Sequence, residues 1–471
     1  MRSVPFVCIL AAVALVSAAT NFAAAAGITG GNDLTTTLVA VSPTTTTAPA
    51  EWRIEVDPAV TTGTPTIRAV TTGPAESLTY LITEIGTDTS KPMIMWSLPK
   101  STTATIPLPN TREDTFVDVS ITRRGSREPI FSWRTLLRPE GRPLIDYAGR
   151  DDFAPPEDFD AYWDRARAEL AAVPMNAKVT RVPDRDTSTG LLHRVELDTV
   201  RDTKIVCWYF VPRDALDKNG KPRRKCPAVV IMPGYGAEEP PIDRTTSGLV
   251  TLSVNPRNHG PSREFWKSPV EHLVYNITEP ENYYYRLAYL DCLRAAEFIF
   301  TRGEVDPDRV AAEGGSQGGL FAMALAALEP RIRCVCSNVT GFTAFAEGTR
   351  LARIGHHATF RQLLADGSTT ATQARKSLTY TDGANMARRV KCPVQINMGD
   401  TDPVCPHVCG VVAYNRLPAG TTREFNITPR TAHAVPPEMR AHNTRWYQQH
   451  LLGQSSPPGE RTKPRKGKSR R

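Results

Sequence analysis

Between residues 51 and 140 the chain reads in short runs with a period near two. "EWRIEV", "PTIRAV", "LTYLITEI", "PMIMWSL", "TATIPL", "TFVDVSITR" and "IFSWRTLL" recur between turn residues. Apolar and polar positions alternate cleanly through Phe116, Val117, Asp118, Val119, Ser120 and Ile121. A period of two places one set of side chains on one face of a pleated strand. Seven such runs predict a small all-β sandwich over 51–140, of immunoglobulin or fibronectin size. No Ser/His/Asp cluster falls in it, so it reads as a spacer or packing domain in preference to the alternative, a carbohydrate-binding module.

From 141 to 453 the pattern changes. Short, fully apolar runs such as "CPAVVIMPG" (226–234) and "GLVTLSV" (248–254) predict strands buried on both faces. "PENYYYRLAYLDCLRAAEFIFTR" has helical spacing, with Arg286, Asp291, Arg294 and Glu297 as its polar stripe. "DPDRVAAEG", "RIRCVCSNV", "CPVQINMGD" and "TREFNIT" predict further strands, and "PPEMRAHNTRWYQQHLL" a closing helix. Strand–helix alternation argues for a mostly parallel sheet with helices on both faces.

One junction carries chemistry. "AAEGGSQGGLFAMALAAL" (311–328) joins a strand to an apolar helix through two glycine pairs. A dinucleotide fingerprint starting at Gly314 needs glycine where Ser316 stands, and a P-loop needs lysine where Leu320 stands. Gly314-x-Ser316-x-Gly318 fits instead a nucleophile elbow, where a strand reverses into a helix at the serine. A serine nucleophile needs a base, and the base needs an orienting acid. The α/β-hydrolase order is serine, acid, histidine. Asp402 in "INMGDTDPVCP" is preferred as the acid. Asp400 is its rival, with the alternative role of bonding turn amides. His433, in a loop before the closing helix, is the preferred base over His356, His357, His407, His442 and His450. The oxyanion hole calls for two N–H groups. One comes from Gln317, after the nucleophile, and one from Tyr235 in "MPGYG".

Composition narrows the picture. At 40% hydrophobic and 23% charged, the 471 residues are ordinary globular sequence. The net charge of +8 sits mostly in the tail, where Arg461, Lys463, Arg465, Lys466, Lys468, Arg470 and Arg471 face Glu460 alone. Residues 454–471 read as a solvated, disordered basic tail. No basic stripe with aromatics lies elsewhere, so no nucleic-acid partner is expected. Arg2 and the apolar run Val4–Val16 predict a signal peptide over 1–26, and "TTTTAPA" belongs to a Thr/Ala-rich linker over 27–50. A secreted or periplasmic protein without a membrane span is expected. Eight cysteines remain after cleavage, which permits disulfides. "CPHVC" (405–409) lacks a second ligand pair, so no metal site is expected, and the chemistry calls for no cofactor.

Four stretches together resemble the acetyl xylan esterase/cephalosporin-C deacetylase family, carbohydrate esterase family seven. They are "PPEDFDAYWDRARAEL", "ENYYYRLAYLDCLRAAEFIFTRGEVDPDRVAAEGGSQGG", "AVVIMPGYG" and "MGDTDPVCP", within about residues 150–452. The resemblance implies an α/β-hydrolase with Ser316, Asp402 and His433 as triad and the Tyr235 and Gln317 amides as hole. It also implies a serine esterase releasing acetyl groups from sugars such as acetylated xylo-oligosaccharides, and assembly into a homo-oligomer, often a hexamer. Three stretches differ from the family's usual pattern. Pro233 stands where it has histidine, "RNHGPS" where it has Arg-Gly-Gln-Gly, and "CSNVTGF" where it has an aspartate-containing segment. Other classes compatible with the residues are a serine peptidase of the prolyl-oligopeptidase kind, a general carboxylesterase, and a non-catalytic polysaccharide-binding protein. For the peptidase, about 90 residues is too short for its usual propeller.

Overall fold

A computed structural model describes residues 52–58, 65–85, 90–139 and 142–453. The expected signal peptide, the linker and the basic tail lie outside the described residues.

The seven period-two runs form β1 (Trp52–Asp57), β2 (Thr66–Thr71), β3 (Leu78–Ile85), β4 (Ser90–Ser97), β5 (Thr103–Ile106), β6 (Thr115–Arg123) and β7 (Pro129–Leu137). All pairings are antiparallel, in two sheets ordered β1-β2-β5 and β4-β3-β6-β7. The inward set (Ile67, Leu78, Tyr80, Ile82, Val117, Val119, Ile121, Trp133) makes their shared core. Period-two alternation sends alternate residues to opposite faces, and burial follows it along β3.

The larger sheet has nine strands: β8 (Lys178–Arg181), β9 (Gly190–Thr199), β10 (Thr203–Pro212), β11 (Cys226–Met232), β12 (Val250–Asn255), β13 (Val305–Gly315), β14 (Cys334–Asn338), β15 (Val394–Gly399) and β16 (Arg423–Thr428). Their order is β16-β15-β14-β13-β11-β12-β10-β9-β8. From β12 to β16 the neighbours run parallel, while β10, β9 and β8 add antiparallel. This is the mostly parallel α/β sheet expected. The antiparallel edge is an addition to the expected sheet: β8 is exposed at every residue and has no apolar face to mark it, whereas β9 buries half of its positions and β10 most of them.

Helices α1 (Phe159–Ala171), α2 (Tyr284–Phe300), α3 (Gln317–Leu328), α4 (Phe345–Leu351), α5 (His356–Leu364), α6 (Thr369–Thr381), α7 (Gly383–Ala387), α8 (His407–Arg416) and α9 (Pro437–His450) accompany the sheet. Every residue of α3 is buried, so it has no polar face to show water. The polar stripe of α2 does not face solvent either. Asp291 pairs bidentately with Arg257, Arg286 reaches Glu169 at 2.8 Å, and Arg294 donates to the carbonyls of Leu170 and Val173. Buried charges persist only with such partners. No helix among the described residues is long and apolar enough to cross a membrane. The eight described cysteines are free thiols, and Cys334 and Cys336 share one face of β14 against α9.

The strand order sets the site. From β11 the chain goes to β12 on one side, then to β13 on the other. The carboxyl ends of β11 and β13 therefore flank a topological switch point, where α/β sheets leave a crevice.

Candidate active site

Ser316 follows the last residue of β13 and caps α3 with φ 58° and ψ −122°. An L-residue is strained there and persists only when its surroundings over-determine it. They do so here. Ser316 N donates to Asn338 O at 2.9 Å, and Ser316 O accepts from Gly319 N and Gly341 N, both at 3.0 Å. The flanking glycines are steric necessities. A Cβ on Gly314 would lie 2.3 Å from the Gly318 carbonyl, and one on Gly318 would lie 2.3 Å from Met232 O.

The three residues expected to work together meet. His433 Nε2 lies 2.9 Å from Ser316 Oγ, and His433 Nδ1 lies 2.8 Å from Asp402 Oδ2. Asp402 Oδ1 accepts from the amides of Val404 and Cys405, which fixes the carboxylate's rotation. The carboxylate accepts the Nδ1 proton and leaves Nε2 as an acceptor facing the serine hydroxyl. Asp400 takes the other role considered for it. Its oxygens accept from Arg430 N at 2.7 Å and Thr431 N at 2.9 Å. Burial pushes its carboxyl up to about 6. It ties the acid turn to the histidine loop.

The other histidines stand apart from the proton path. His356 Nε2 accepts from Phe342 N, His357 packs on Gly348, and His407 stacks on Trp133. His442 lies 3.8 Å from Glu424, and His450 packs on Trp446. The CPHVC residues do not converge. Cys405 lies with Asp402 and His433, their polar atoms within 4.8 Å of one another, while Cys409 faces Ala344 O. Asp402 Oδ2 and His433 Nδ1 already hold each other, and His433 Nε2 faces Ser316 Oγ.

Gln317 opens α3, so its N–H has no partner one turn back and points out of the helix N-terminus beside Ser316. The loop after β11 lies against the elbow, with Gly234 within 3.9 Å of Gly315 O if given a Cβ. Tyr235 follows directly in the same loop. Its ring stacks on His272 at 4.4 Å, and its hydroxyl donates to Glu271. The free N–H at the start of α3, together with the helix dipole, suits a developing oxyanion.

A layer beneath the Gln317 amide has no motif of its own in the sequence, although "RNHGPS" departs from the usual pattern there. The Gln317 carboxamide donates to His259 Nε2 at 2.9 Å and accepts from Tyr285 Oη at 2.8 Å. His259 Nδ1 lies 3.2 Å from Arg257 O, which fits the tautomer with Nδ1 protonated. Burial pushes this imidazole down to about 4, so it is neutral at pH 7. The Arg257–Asp291 pair and the Thr199 bond to Asp291 hold the loop in turn. The signal for this layer was the chemistry of the YYYR helix, but no spacing rule links positions 259, 285 and 317.

The family described as acetyl xylan esterase (AXE1) matches residues 142–450. The acetyl esterase Axe7A of Xylanibacter ruminicola is 26% identical over 307 residues, 62% of this chain and 66% of that protein. The chain thus spans somewhat less than two thirds of that relative's length. The solved acetyl xylan esterase from Paenibacillus sp. R4 superposes with a TM-score of 0.59 at 26% identity, covering 65% of this chain and 98% of that one. Acetyl xylan esterase 1 from Thermoanaerobacterium sp. JW/SL YS485 shares the fold with a TM-score of 0.58 at 23% identity, over 65% and 97% of the two chains.

Proposed function

Because this chain belongs to the acetyl xylan esterase family, we propose that it hydrolyses acetyl esters of carbohydrates, such as acetylated xylo-oligosaccharides, through an acyl-enzyme on Ser316. The observation that carries the reading is the line from Ser316 Oγ through the His433 ring to Asp402, at 2.9 and 2.8 Å, on a strained strand–helix elbow.

Ser316 Oγ attacks the acetyl carbonyl while His433 Nε2 takes its proton. Asp402 keeps the Nδ1 tautomer and stabilises the imidazolium that forms. Charge moves to the carbonyl oxygen, which the amides of Gln317 and Tyr235 receive. The tetrahedral intermediate collapses, the ester C–O bond to the sugar breaks, and the His433 imidazolium protonates the departing sugar oxygen. Water enters, His433 removes its proton, and acetate leaves as Ser316 is restored. Each proton transfer is served by His433, so the sequence of steps calls for no cofactor. The apolar amino-terminal run suits export to where polysaccharide is met, in the periplasm or outside the cell.

The test measures release of acetate from acetylated xylo-oligosaccharides beside p-nitrophenyl esters of increasing chain length. Acetyl should be preferred, and Ser316→Ala should lower kcat by about 10⁴-fold or more with folding intact. Equal rates on butyrate and longer esters would make the protein a general carboxylesterase. Turnover of peptide amides alone would move it to the peptidases.

A further inference from the structure

The sandwich formed by β1–β7 does not merely precede the hydrolase. Trp133 of β7 is 3% exposed, and its Nε1 donates to Asp400 O at 3.1 Å. Its ring stacks on His407 with centroids 6.3 Å apart and planes 19° from parallel. On the neighbouring strand β6, Asp118 accepts from Arg134 at 3.0 Å and pairs with Arg353. The backbone N of Arg353 in turn donates to Pro403 O at 2.8 Å. Phe116 and Leu136 of the sandwich pack into the same core as the hydrolase helices.

These two routes reach the acid turn on either side of Asp402, one at residue 400 and one at 403. The turn needs outside support. Pro403 and Pro406 have no N–H to donate, and Asp402 uses the turn's own amides at 404 and 405. The same turn governs the histidine loop, because the Asp400 carboxyl holds Arg430 N and Thr431 N, three and two residues before His433.

We propose that Trp133 and Asp118 are positioning residues, by which the sandwich clamps the acid turn at both ends and sets the register of Asp402 on His433. Both act through the residues around the acid turn, Trp133 on Asp400 O and Asp118 on Arg353. The proposal rests on the serine-hydrolase reading of the site. It predicts that a change in the sandwich lowers the chemical step rather than binding.

The experiment uses the full chain carrying Trp133→Phe, which keeps a ring against His407 but removes the N–H, or Asp118→Asn, which keeps shape but removes the charge facing Arg353. Three quantities are read: kcat and KM on p-nitrophenyl acetate, the rate of Ser316 labelling by a fluorophosphonate, and the number of sites labelled at completion. Each variant should lose about tenfold in kcat and in labelling rate, since a small misplacement of a catalytic group has effects of this order. KM should stay within about twofold and the site count should be full. Unchanged kcat and labelling rate would overturn the proposal. So would a loss matched by fewer labelled sites, which is plain unfolding, or by an equal rise in KM. The labelling arm does not depend on the natural substrate. A wild type that labels but cleaves no ester would sink the esterase reading, while the labelling rates of the variants would still decide the clamp.

Discussion

Gly318→Ala puts the elbow to a quantitative test. The added methyl would lie 2.3 Å from Met232 O, 3.0 Å from Met232 C and 3.1 Å from Pro233 O. Ordinary contact between such atoms is about 3.5 Å, so the helix start and the end of β11 must part by roughly 1 Å. Every atom met is backbone, so no side-chain rotation relieves the clash. Overpacking of this kind costs about 1–3 kcal/mol. The displaced atoms immediately precede Gly234 and Tyr235, so the motion carries the Tyr235 amide away from the Gln317 amide. A misplacement near 1 Å lowers kcat by about 10²-fold. The assay pairs kcat on p-nitrophenyl acetate with thermal unfolding. The activity loss should exceed anything explained by the folded fraction at the assay temperature. A Gly318→Ala protein with kcat within twofold of wild type would refute the reasoning, because the oxyanion loop would then not be locked to the elbow.

Two further outcomes follow from the groups around the triad. His259→Leu leaves the Gln317 carboxamide without its buried acceptor, and kcat should fall about tenfold with KM little changed, whereas His259→Gln restores an acceptor and should stay within about threefold; equal rates for the two variants would remove His259 from the support of the hole. Asp400 has its carboxyl raised in the folded state from 3.8 to about 6. The folded protein therefore binds that proton more tightly than the unfolded chain, and the contribution is complete below about pH 4 and lost as pH rises through about 6. Over that window the stability difference should move in favour of Asp400→Asn by about 3 kcal/mol, read by denaturant unfolding at several pH values. A difference constant with pH would show that the Arg430 and Thr431 amides offset burial, and one moving the other way that they outweigh it.

Local patterns were enough for part of this molecule. Period-two runs such as Phe116–Ile121 and the unbroken apolar run of Cys226–Met232 encode their strands in the sequence itself, because burial on one face or two leaves a direct trace in residue order. The elbow was also legible, because reversing a strand into a helix within one residue demands small neighbours at 314 and 318. The order serine, acid, histidine narrowed the partners of Ser316, and Asp402 and His433 are the pair the fold brings to it.

What residue order could not carry was everything that depends on distant segments meeting. Asp400 and Asp402 stand two apart in one turn, and only the approach of the 430–433 loop separates their tasks. The charges of α2 resemble a wet face until Arg257, Glu169 and the Leu170 carbonyl arrive to pair them. His259 and Trp133 have no local mark of their place beside the site, since one contacts a residue 58 positions away and the other a residue 267 positions away. Short-range sterics and periodicity are written residue by residue, so the sequence by itself determined the sandwich strands, the parallel strands of the larger sheet and the elbow. Hydrogen bonds across such separations exist only once the sheet has closed, so the tertiary structure alone decided which polar groups hold the nucleophile's partners in line.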